Sequence, residues 1–528
     1  MSYQLSSPSV GPIVGHTTSH SSLIWMRGSV ENPGRTVGVA ALYDARDKYV
    51  DKSARYIQLH RQYDRTGVFH FPNLAPDTVY QVRVGSLTLA KAYTMISDDD
   101  IDVFSKLPAP DDFLNQLESL PAEAGLASFT TYPEKAKNGL AFVFGSCRYP
   151  GLLWPAKKAD QIFGAIRDQL VKPNPPRFVL MNGDQIFADK LGRHIPLLRA
   201  DTPAEFQERY KTAFTSKHMR ELLRSVPTYM ILDDHDIEDD WSASRMDGNE
   251  KEYVLYQNAI AAYKNYQWIQ SPRNHCPSSK FTDIVGDRFC YSFDCGEVPF
   301  FVIDSRTHRI KNEGADSLED NHMLGYPTET ATPESRVQIN VLYNWLLSQQ
   351  SKIGNKPKFI VSPSMFAPNK LVTAGSDEHA MRNKARDDSW AAFPGTRRKI
   401  LDMIVKHNIQ NVVFLCGDAH CSCIAELDFT HKASGKLPLR AFSITSSAFY
   451  WPWPFADGKP DFFVHDSKEQ HDQFEMSADV VMNYKAYAFE QADNFTRIDA
   501  SHDFIEVQNY DREGVALGNK TTLKLFAN

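Results

Sequence analysis

The chain has 528 residues, of which 42% are hydrophobic, and carries a formal net charge of -7 with a pI near 6.2. This length allows roughly three domains, or one large α/β enzyme domain with an appendage. The acidic balance excludes a dedicated nucleic-acid-binding protein, which would present a basic surface, but it allows phosphate chemistry at a local metal site.

The first residues lack the basic and apolar regions of a signal peptide, and no stretch reaches the ~18 apolar residues of a membrane span. Seven cysteines without framework spacing favour reduced thiols. We therefore expect a cytoplasmic protein without a transmembrane segment, or a secreted one if a leader has been removed. Cys421 and Cys423 are interpreted as small buried hydrophobes.

Residues 1–95 are predicted to form an all-β sandwich, because short alternating segments such as S-S-L-I-W-M-R are separated by turn residues. The segment N-L-A-P-D-T-V-Y resembles the fibronectin type III signature, in which a tyrosine, here Tyr80, fixes a corner of the sandwich. Residues 96–137 are acidic and contain prolines, and they are interpreted as a connector with one short helix near residues 113–120.

From residue 138 to 528, apolar strands alternate with helical stretches, which indicates an α/β domain. A helix over 203–224 is predicted to start at a Thr N-cap followed by Pro. Similar periodicity predicts helices at 252–269, 334–350 and 396–407. The last ~25 residues are expected to form terminal strands.

Two apolar runs in this region end alike. Residues 178–184 read F-V-L-M-N-G-D, and residues 412–420 read V-V-F-L-C-G-D-A-H. Runs without alternation suit strands covered on both faces, and residues just past their carboxyl ends line a shared crevice. Four other runs fit the same template and end at Cys147, Asp233 to Asp236, Asp304 to Arg306, and Ser362 to Ser364. We expect these end groups to converge on one site.

Carboxylate, imidazole and thiolate groups from separate strand ends form a ligand set suited to a transition metal or a metal pair. The Gly before each Asp removes side-chain bulk at a sharp strand exit. If the D-A-H segment is extended, Asp418 and His420 lie on the same side and point at one ion.

Six blocks follow one another along the chain. They are G-S-C-R at 145–148, N-G-D-Q-I-F-A-D at 182–189, L-D-D-H-D-I-E-D-D-W at 232–241, I-D-S-R at 303–306, S-W-A-A-F-P-G-T-R at 389–397 and C-G-D-A-H at 416–420. In this order they resemble the alkaline phosphatase D (PhoD-like) family of metallophosphoesterases. The resemblance covers most of residues 138–425 and extends to the N-terminal sandwich.

The resemblance implies a four-layer α/β/β/α sandwich that hydrolyses phosphate esters, preceded by a small all-β, fibronectin type III-like domain. It implies two or more divalent or trivalent metal ions, among iron, calcium, manganese, zinc and magnesium. The metal ligands carried over by position are Cys147, Asp184, Asp418 and His420, with Asp234 or Asp239 as a further oxygen ligand. Asp184 is expected to bridge two ions.

This chain departs from the family pattern at two places. The family has a Tyr whose oxygen binds iron where this chain has Phe187, which offers no ligand atom. A phenolate–iron colour is therefore not expected, and Asp189 or water is a candidate replacement. Asp239 and Asp240 stand where the family commonly has Asn, and their extra negative charge favours a different or more tightly held cation.

Metal chemistry implies hydrolysis by a metal-bound hydroxide, because a bound ion lowers the pKa of water and a metal pair clamps the reacting oxygens. We expect His235, oriented by Asp236, to protonate the leaving alkoxide or to steady the phosphoryl oxygens. Arg306, together with Arg148, is expected to complement the charge of the phosphate.

Several of these residues have alternative interpretations. Cys147 taken alone is a buried thiol, Asp304 and Arg306 also fit a structural ion pair, and residues 233–240 also fit a solvated acidic loop. The aromatic segment at 446–455 either lines the site and selects an apolar or stacking leaving group, or is a hydrophobic cluster packed under a loop.

The sequence thus predicts a metal-dependent phosphoesterase whose partner is a phosphate mono- or diester. The alternatives are a phospholipase-D-like or nucleotide-directed phosphodiesterase, and a degenerate, non-catalytic relative that acts as a binding scaffold.

Overall fold

The computed structural model describes residues 3–29, 35–89, 103–136, 139–151, 156–193, 195, 197–275, 288–312, 317–325, 337–371, 387–453 and 458–526. The N-terminal strands are β1 Leu5–Ser6, β2 Val10–Thr17, β3 Ser21–Arg27, β4 Thr36–Asp44, β5 Arg55–Leu59, β6 Thr66–Pro72, β7 Val79–Thr88 and β8 Leu126–Thr130. Within these ranges they form a three-stranded sheet in the order β2-β3-β6 and a five-stranded sheet in the order β1-β7-β4-β5, with β8 paired to β7.

The predicted N-terminal β-structure is present, but its strands differ in burial. Phe69 and Phe71 of β6 are buried whereas His70 between them is exposed. In β4, by contrast, every residue from Thr36 to Tyr43 is buried. The hydroxyl of Tyr80 accepts a hydrogen bond from the backbone N–H of Ala75 at 3.0 Å, which is the kind of upstream contact expected of a corner tyrosine. Sequence alternation therefore located the two faces of β6 but not the full burial of β4.

The predicted connector is more ordered than its composition suggested. It holds helices α1 Leu114–Ser119 and α2 Ala122–Gly125, and α1 confirms the short helix predicted near residues 113–120. Strand β8 then pairs antiparallel with β7, so the connector adds a strand to the N-terminal sheet. Residues 96–102 of the predicted connector lie outside the described residues.

The remaining strands are β9 Leu140–Gly145, β10 Val179–Asn182, β11 Thr228–Ile231, β12 Tyr291–Cys295, β13 Val298–Val302, β14 Lys358–Ser362, β15 Val412–Cys416, β16 Ser422–His431, β17 Gly435–Thr445, β18 Phe474–Glu475, β19 Val480–Glu490, β20 Asn494–Ala500, β21 Phe504–Asp511 and β22 Ala516–Lys524. In the described part of the chain they form two sheets, in the orders β11-β10-β9-β20-β21-β22 and β12-β13-β14-β15-β17-β16-β19-β18. All six predicted apolar strands are present, and the terminal strands β21 and β22 are confirmed. Strands β9 to β11 are parallel, as are β13, β14, β15 and β17.

The helices of this region are α3 Ala156–Asp168, α4 Pro203–Phe214, α5 Lys217–Leu223, α6 Glu250–Tyr266, α7 Gln338–Ile353 and α8 Pro394–Lys406. The helix predicted over 203–224 begins at its Thr202 cap as expected but is divided into α4 and α5. The division occurs because Ser216 is extended and its hydroxyl donates to Asp160, which also accepts the backbone N–H groups of His218 and Met219. The other three predicted helices are confirmed as α6, α7 and α8, with residues 334–336 outside the described ranges.

The two large sheets face each other through aromatic rings. The ring of Phe142 in β9 lies 5.3 Å from that of Phe300 in β13 and 5.4 Å from that of Phe359 in β14, measured between centroids. The next residues along these strands point the opposite way, and Phe301 and Ile360 pack in one cluster with residues of α7 and α8. Both faces of the second sheet are thus buried, which explains its continuous apolar strands.

No helix combines the length and the apolar character that crossing a bilayer requires, among the residues described. Cys421 and Cys423 are buried, and no disulfide joins the described cysteines.

We expect Phe300→Ala to lower the free energy of unfolding by about 3–5 kcal/mol, because it removes a fully buried ring between the two sheets. The matched control is Phe504→Ala, whose ring in β21 is 39% exposed and should contribute less than about 1 kcal/mol. Urea denaturation of both variants measures the difference. Equal effects of the two substitutions would show that the sheets do not depend on this aromatic contact.

Candidate metal centre

Two of the six strand ends that the sequence singled out, those after β11 and β15, line one pocket of about 310 Å³. Its lining residues are Asp234, His235, Asp239, Asp240, Met365, Lys370, Asp387, Asp388, Ser389, Asp418, Ala419 and His420. Among the described residues, three groups of possible ligand atoms lie within 4.8 Å of one another: Asp184, Asp234 and His235; Asp233, Asp234 and Asp418; and Asp234, Asp240 and Asp388. The predicted ligands Cys147, Asp239 and His420 belong to none of these groups.

Asp184 follows β10 at a very sharp exit. A Cβ on Gly183 would lie 2.5 Å from the Cβ of Asp233, and its φ of +101° is a conformation that favours glycine. The Asp184 carboxylate is buried, and neither of its oxygens has a hydrogen-bond partner among the described residues. Burial and the neighbouring charge of Asp234 raise the pKa of Asp184 well above its usual value. A buried carboxylate without donors is costly unless a cation satisfies it, so this residue fits a metal ligand.

Asp236 holds two strand exits together. One of its oxygens accepts the backbone N–H groups of Asp184 and Asp233, each at 3.0 Å. The other accepts hydrogen bonds from the Tyr210 hydroxyl at 3.2 Å and the Gln267 amide at 3.0 Å. Burial raises the pKa of Asp236 to about 7. All of its described contacts are thus structural, and none is with His235.

His235 is oriented by Asp189 and not by Asp236, so that expectation was wrong. The Nδ1 atom of His235 lies 2.7 Å from Asp189 Oδ1, and its ring stacks on Phe187 at 4.1 Å. Nε2 is 3.8 Å from Asp239 Oδ1. Burial alone would lower the pKa of His235, but the carboxylates of Asp189 and Asp234 raise it well above its usual value. Because Asp189 also accepts the N–H of Asp239 at 2.8 Å, both of its oxygens are engaged, and it does not replace the missing tyrosine ligand in this arrangement.

The G-D-A-H segment is a turn and not the extended chain that we expected. Asp418 has a φ of 68° and His420 a φ of 48°, yet both line the pocket. Burial lowers the pKa of His420 to about 3, so its imidazole is neutral, and its buried Nδ1 has no hydrogen-bond partner within the described ranges. A neutral imidazole with an unused nitrogen is the form that binds a metal.

Cys147 lies at the end of β9 and is fully buried. Its sulfur is 3.2 Å from the hydroxyls of Ser146 and Ser447. Burial and the charges of Asp184 and Asp418 raise the pKa of the Cys147 thiol well above its usual value. Without a cation this residue is therefore a protonated thiol beside two carboxylates.

Arg306 is fully buried among carboxylates and does not line the pocket. Its Nε contacts Asp233, its Nη1 lies 2.5 Å from Asp388, and its Nη2 lies 3.6 Å from Asp234 and 3.7 Å from Asp418. These four charges raise the pKa of Arg306 well above its usual value despite its burial. The guanidinium is therefore an internal counter-charge for the acidic cluster.

The alternative pairing of Asp304 with the Arg306 side chain is not observed among the described ion pairs. Asp304 instead accepts the backbone N–H groups of Arg306 at 3.1 Å and Thr307 at 3.0 Å, so it shapes the turn after β13. The guanidinium of Arg148 also points elsewhere. It donates to Ser216 at 3.3 Å and lies over the ring of Phe163, between α3 and α5, so the structure does not bring it to the pocket.

Asp388 is a site residue that the sequence interpretation missed. It contacts Arg306 and Arg309, and these two guanidiniums overcome burial to hold the pKa of Asp388 well below its usual range. Asp233 and Asp240 were also not chosen as ligands, although both belong to the acidic groups. The only available signal for Asp388 was the Asp387-Asp388 pair directly before the S-W-A-A-F block.

The aromatic segment touches the site through Trp451, whose ring stacks on that of His420 at 3.8 Å. Ser447 of the same segment accepts the backbone N–H of His420 at 3.0 Å. Phe187 packs against Tyr149 and, more loosely, Trp451. An aromatic wall therefore supports both histidines, and residues 454 and 455 of the predicted segment lie outside the described residues.

Three comparisons with known proteins find similar proteins. A family model described as PhoD-like phosphatase matches residues 142–494. Alkaline phosphatase D of Bacillus subtilis (strain 168) is 21% identical over 312 residues, which are 56% of this chain and 49% of that protein, so the chain spans about half the length of this curated relative. A solved structure of PhoD matches with a TM-score of 0.63 at 15% identity, covering 98% of this chain and 89% of that chain. The structural match shows a shared fold of mixed α/β content with an all-β N-terminal region.

We expect Arg306→Ala to lower the free energy of unfolding by about 3–5 kcal/mol in metal-free protein, because it leaves a buried cluster of carboxylates without their counter-charge. Arg306→Lys should recover part of this loss. The control is Arg398→Ala, which removes a partly exposed pair with Glu319 and should cost less than about 1 kcal/mol. Chemical denaturation in the presence of a chelator tests the prediction, and an Arg306→Ala protein as stable as the Arg398→Ala protein would contradict it.

Proposed function

The chain belongs to the PhoD-like phosphatase family, and on this basis we propose that it is a metal-dependent phosphoesterase acting on phosphate mono- or diesters. The observation that carries the proposal is the buried Asp184 carboxylate, which has no donor among the described residues and lies within reach of Asp234 and His235. Such a group is stabilised by a cation and destabilised without one.

We propose that the metal ligands are Asp184, Asp234, Asp418, Cys147 and His420, with Asp239 as a further candidate. Asp184, Asp234 and Asp418 belong to the close acidic groups, and His420 keeps an unused nitrogen in the described surroundings. When bound, two or more metal ions would lower the pKa of water and neutralise charge on the phosphoryl oxygens. Iron, calcium, manganese, zinc and magnesium are the candidates, and Phe187 supplies no ligand to any of them.

His235 is the proposed proton donor to the leaving oxygen. Asp189 holds Nδ1, and this leaves Nε2 as the nitrogen available to the pocket. The raised pKa keeps the imidazole protonated near neutral pH, so the proton would pass from Nε2 to the alkoxide as the P–O bond breaks. Asp189 is the positioning residue in this step. Asp236 fixes the backbone of the two neighbouring strand exits, at Asp184 and Asp233.

We further propose that residues 138–528 form a four-layer α/β/β/α sandwich and that residues 1–95 form a fibronectin type III-like domain, joined by residues 96–137. The ring contacts between the two large sheets and the packing of α7 and α8 on the far face support the layer order. The Tyr80 to Ala75 hydrogen bond supports the N-terminal assignment.

We expect purified protein to hold metal in stoichiometric amounts and to hydrolyse nitrophenyl phosphate or its bis-ester. Asp184→Asn and His420→Ala should each lower metal content and reduce turnover more than about 100-fold, because each removes a ligand. Asp479→Asn, at an exposed position, is the control and should behave as wild type. Metal analysis and steady-state kinetics decide the question. Wild-type protein with neither metal nor hydrolysis would favour the scaffold alternative.

A second prediction concerns the leaving group. If His235 donates a proton, His235→Asn should slow hydrolysis of alkyl phosphates by about 10²–10⁴-fold and of nitrophenyl phosphate much less, because nitrophenolate needs little protonation to leave. Rates measured on both substrates give the comparison. Equal losses on both would assign His235 to the phosphoryl oxygens instead.

A further inference from the structure

We propose that Lys370 binds the non-bridging phosphoryl oxygens of the substrate and gives the site a preference for dianionic, terminal phosphate groups. This inference rests on the proposed phosphoesterase function. Six carboxylates line the pocket, and over the described residues Lys370 is the single Lys or Arg side chain that joins them. An anionic substrate entering such a pocket is attracted by the cations it holds and repelled by its carboxylates.

The other basic residues near the cluster are committed to carboxylates or point away. Arg306 and Arg309 are fully buried and contact Asp388, and the buried Lys311 lies 4.0 Å from it. Arg148 lies between α3 and α5, as described above. These groups do not line the pocket, whereas Lys370 lines the space that a substrate would enter.

The ion pair between Lys370 and Asp387 can be exchanged for a contact with a phosphoryl group. The Nζ atom of Lys370 lies 3.8 Å from Asp387 Oδ1, and the Lys370 side chain is 39% exposed. A partly exposed pair at this distance contributes little net free energy. A phosphoryl group carrying two negative charges would therefore compete with the Asp387 carboxylate for the ammonium.

The backbone that carries Lys370 is fixed by a buried polar network. The side chain of the preceding residue, Asn369, accepts from Arg397 at 2.8 Å and donates to Asp472 at 2.6 Å. Its backbone N–H donates to the Tyr484 hydroxyl at 3.1 Å. Arg397 is the last residue of the S-W-A-A-F-P-G-T-R block. This block supplies none of the proposed metal ligands. The network fixes the backbone beside Lys370, and the long side chain of Lys370 reaches the pocket lining.

The proposal predicts that loss of Lys370 affects phosphate monoesters and phosphate diesters differently. A phosphate monoester presents two charges and a terminal group with three oxygens, and a diester presents one charge and two such oxygens. Removing a cation that binds these oxygens should therefore weaken binding of a monoester more than binding of a diester. A residue that only supports the fold would affect both substrates alike.

The test uses the metal-loaded full chain with Lys370→Ala, Lys370→Arg and, as control, Lys356→Ala, whose exposed pair with Glu297 lies outside the pocket lining. We expect Lys370→Ala to raise KM for nitrophenyl phosphate and Kd for inorganic phosphate about 10-fold. KM for the bis-ester should change less than about 3-fold, and Lys370→Arg should restore most of the affinity. The control should match wild type, and metal content should be equal in all four proteins.

Calorimetric binding of inorganic phosphate does not require turnover, so it tests Lys370 even if neither ester is hydrolysed. An unchanged phosphate Kd in Lys370→Ala, or no phosphate binding by wild type, would overturn the proposal. Equal changes in KM for the two esters would also overturn it. Wild type that hydrolyses neither ester but binds phosphate in a Lys370-dependent way would instead refute the phosphoesterase function. The phosphate site would then still be supported.

Discussion

The structure depends on placing several carboxylates together away from water. Each buried carboxylate loses hydration, and its neighbours repel it further. Arg306 makes this possible because one guanidinium reaches four of them, on segments that follow two different strands and precede a helix. Part of the negative charge of the acidic cluster is thus balanced by the protein itself.

A second set of polar groups fixes the strand exits relative to one another. Asp236 ties the exits of β10 and β11, and the amide of Asn182 in β10 donates to the carbonyls of Ser362 and Leu415 in the opposite sheet, each at 3.0 Å. Both oxygens of Asp236 and the NH₂ group of Asn182 are engaged within the fold, whereas Asn182 Oδ1 and the two Asp184 oxygens have no partner among the described residues. A rigid frame with a few unsatisfied atoms is the pattern expected of a preorganised cation site.

The sequence located the elements of this site better than the contacts between them. Unbroken apolar runs identify buried strands, and parallel strands place their carboxyl ends together, so the convergence of Asp184, Asp234 and Asp418 could be predicted. The partner of His235 could not, because Asp236 is its neighbour in sequence whereas Asp189 lies 46 residues away and reaches Nδ1 only through tertiary packing. Asp388 and the direction of Arg148 depend on tertiary packing between distant segments, which leaves no local pattern.

The position of β20 has a consequence for biosynthesis. It lies beside β9 at the centre of the first large sheet, with Ile498 opposite Phe142, although β9 is made far earlier on the ribosome. Until β20 emerges, the strand that leads to Cys147 exposes an unpaired edge, which is a template for aggregation. A premature stop after His420 would therefore retain every proposed metal ligand and still leave the nascent chain unable to close the sheet that carries most of them.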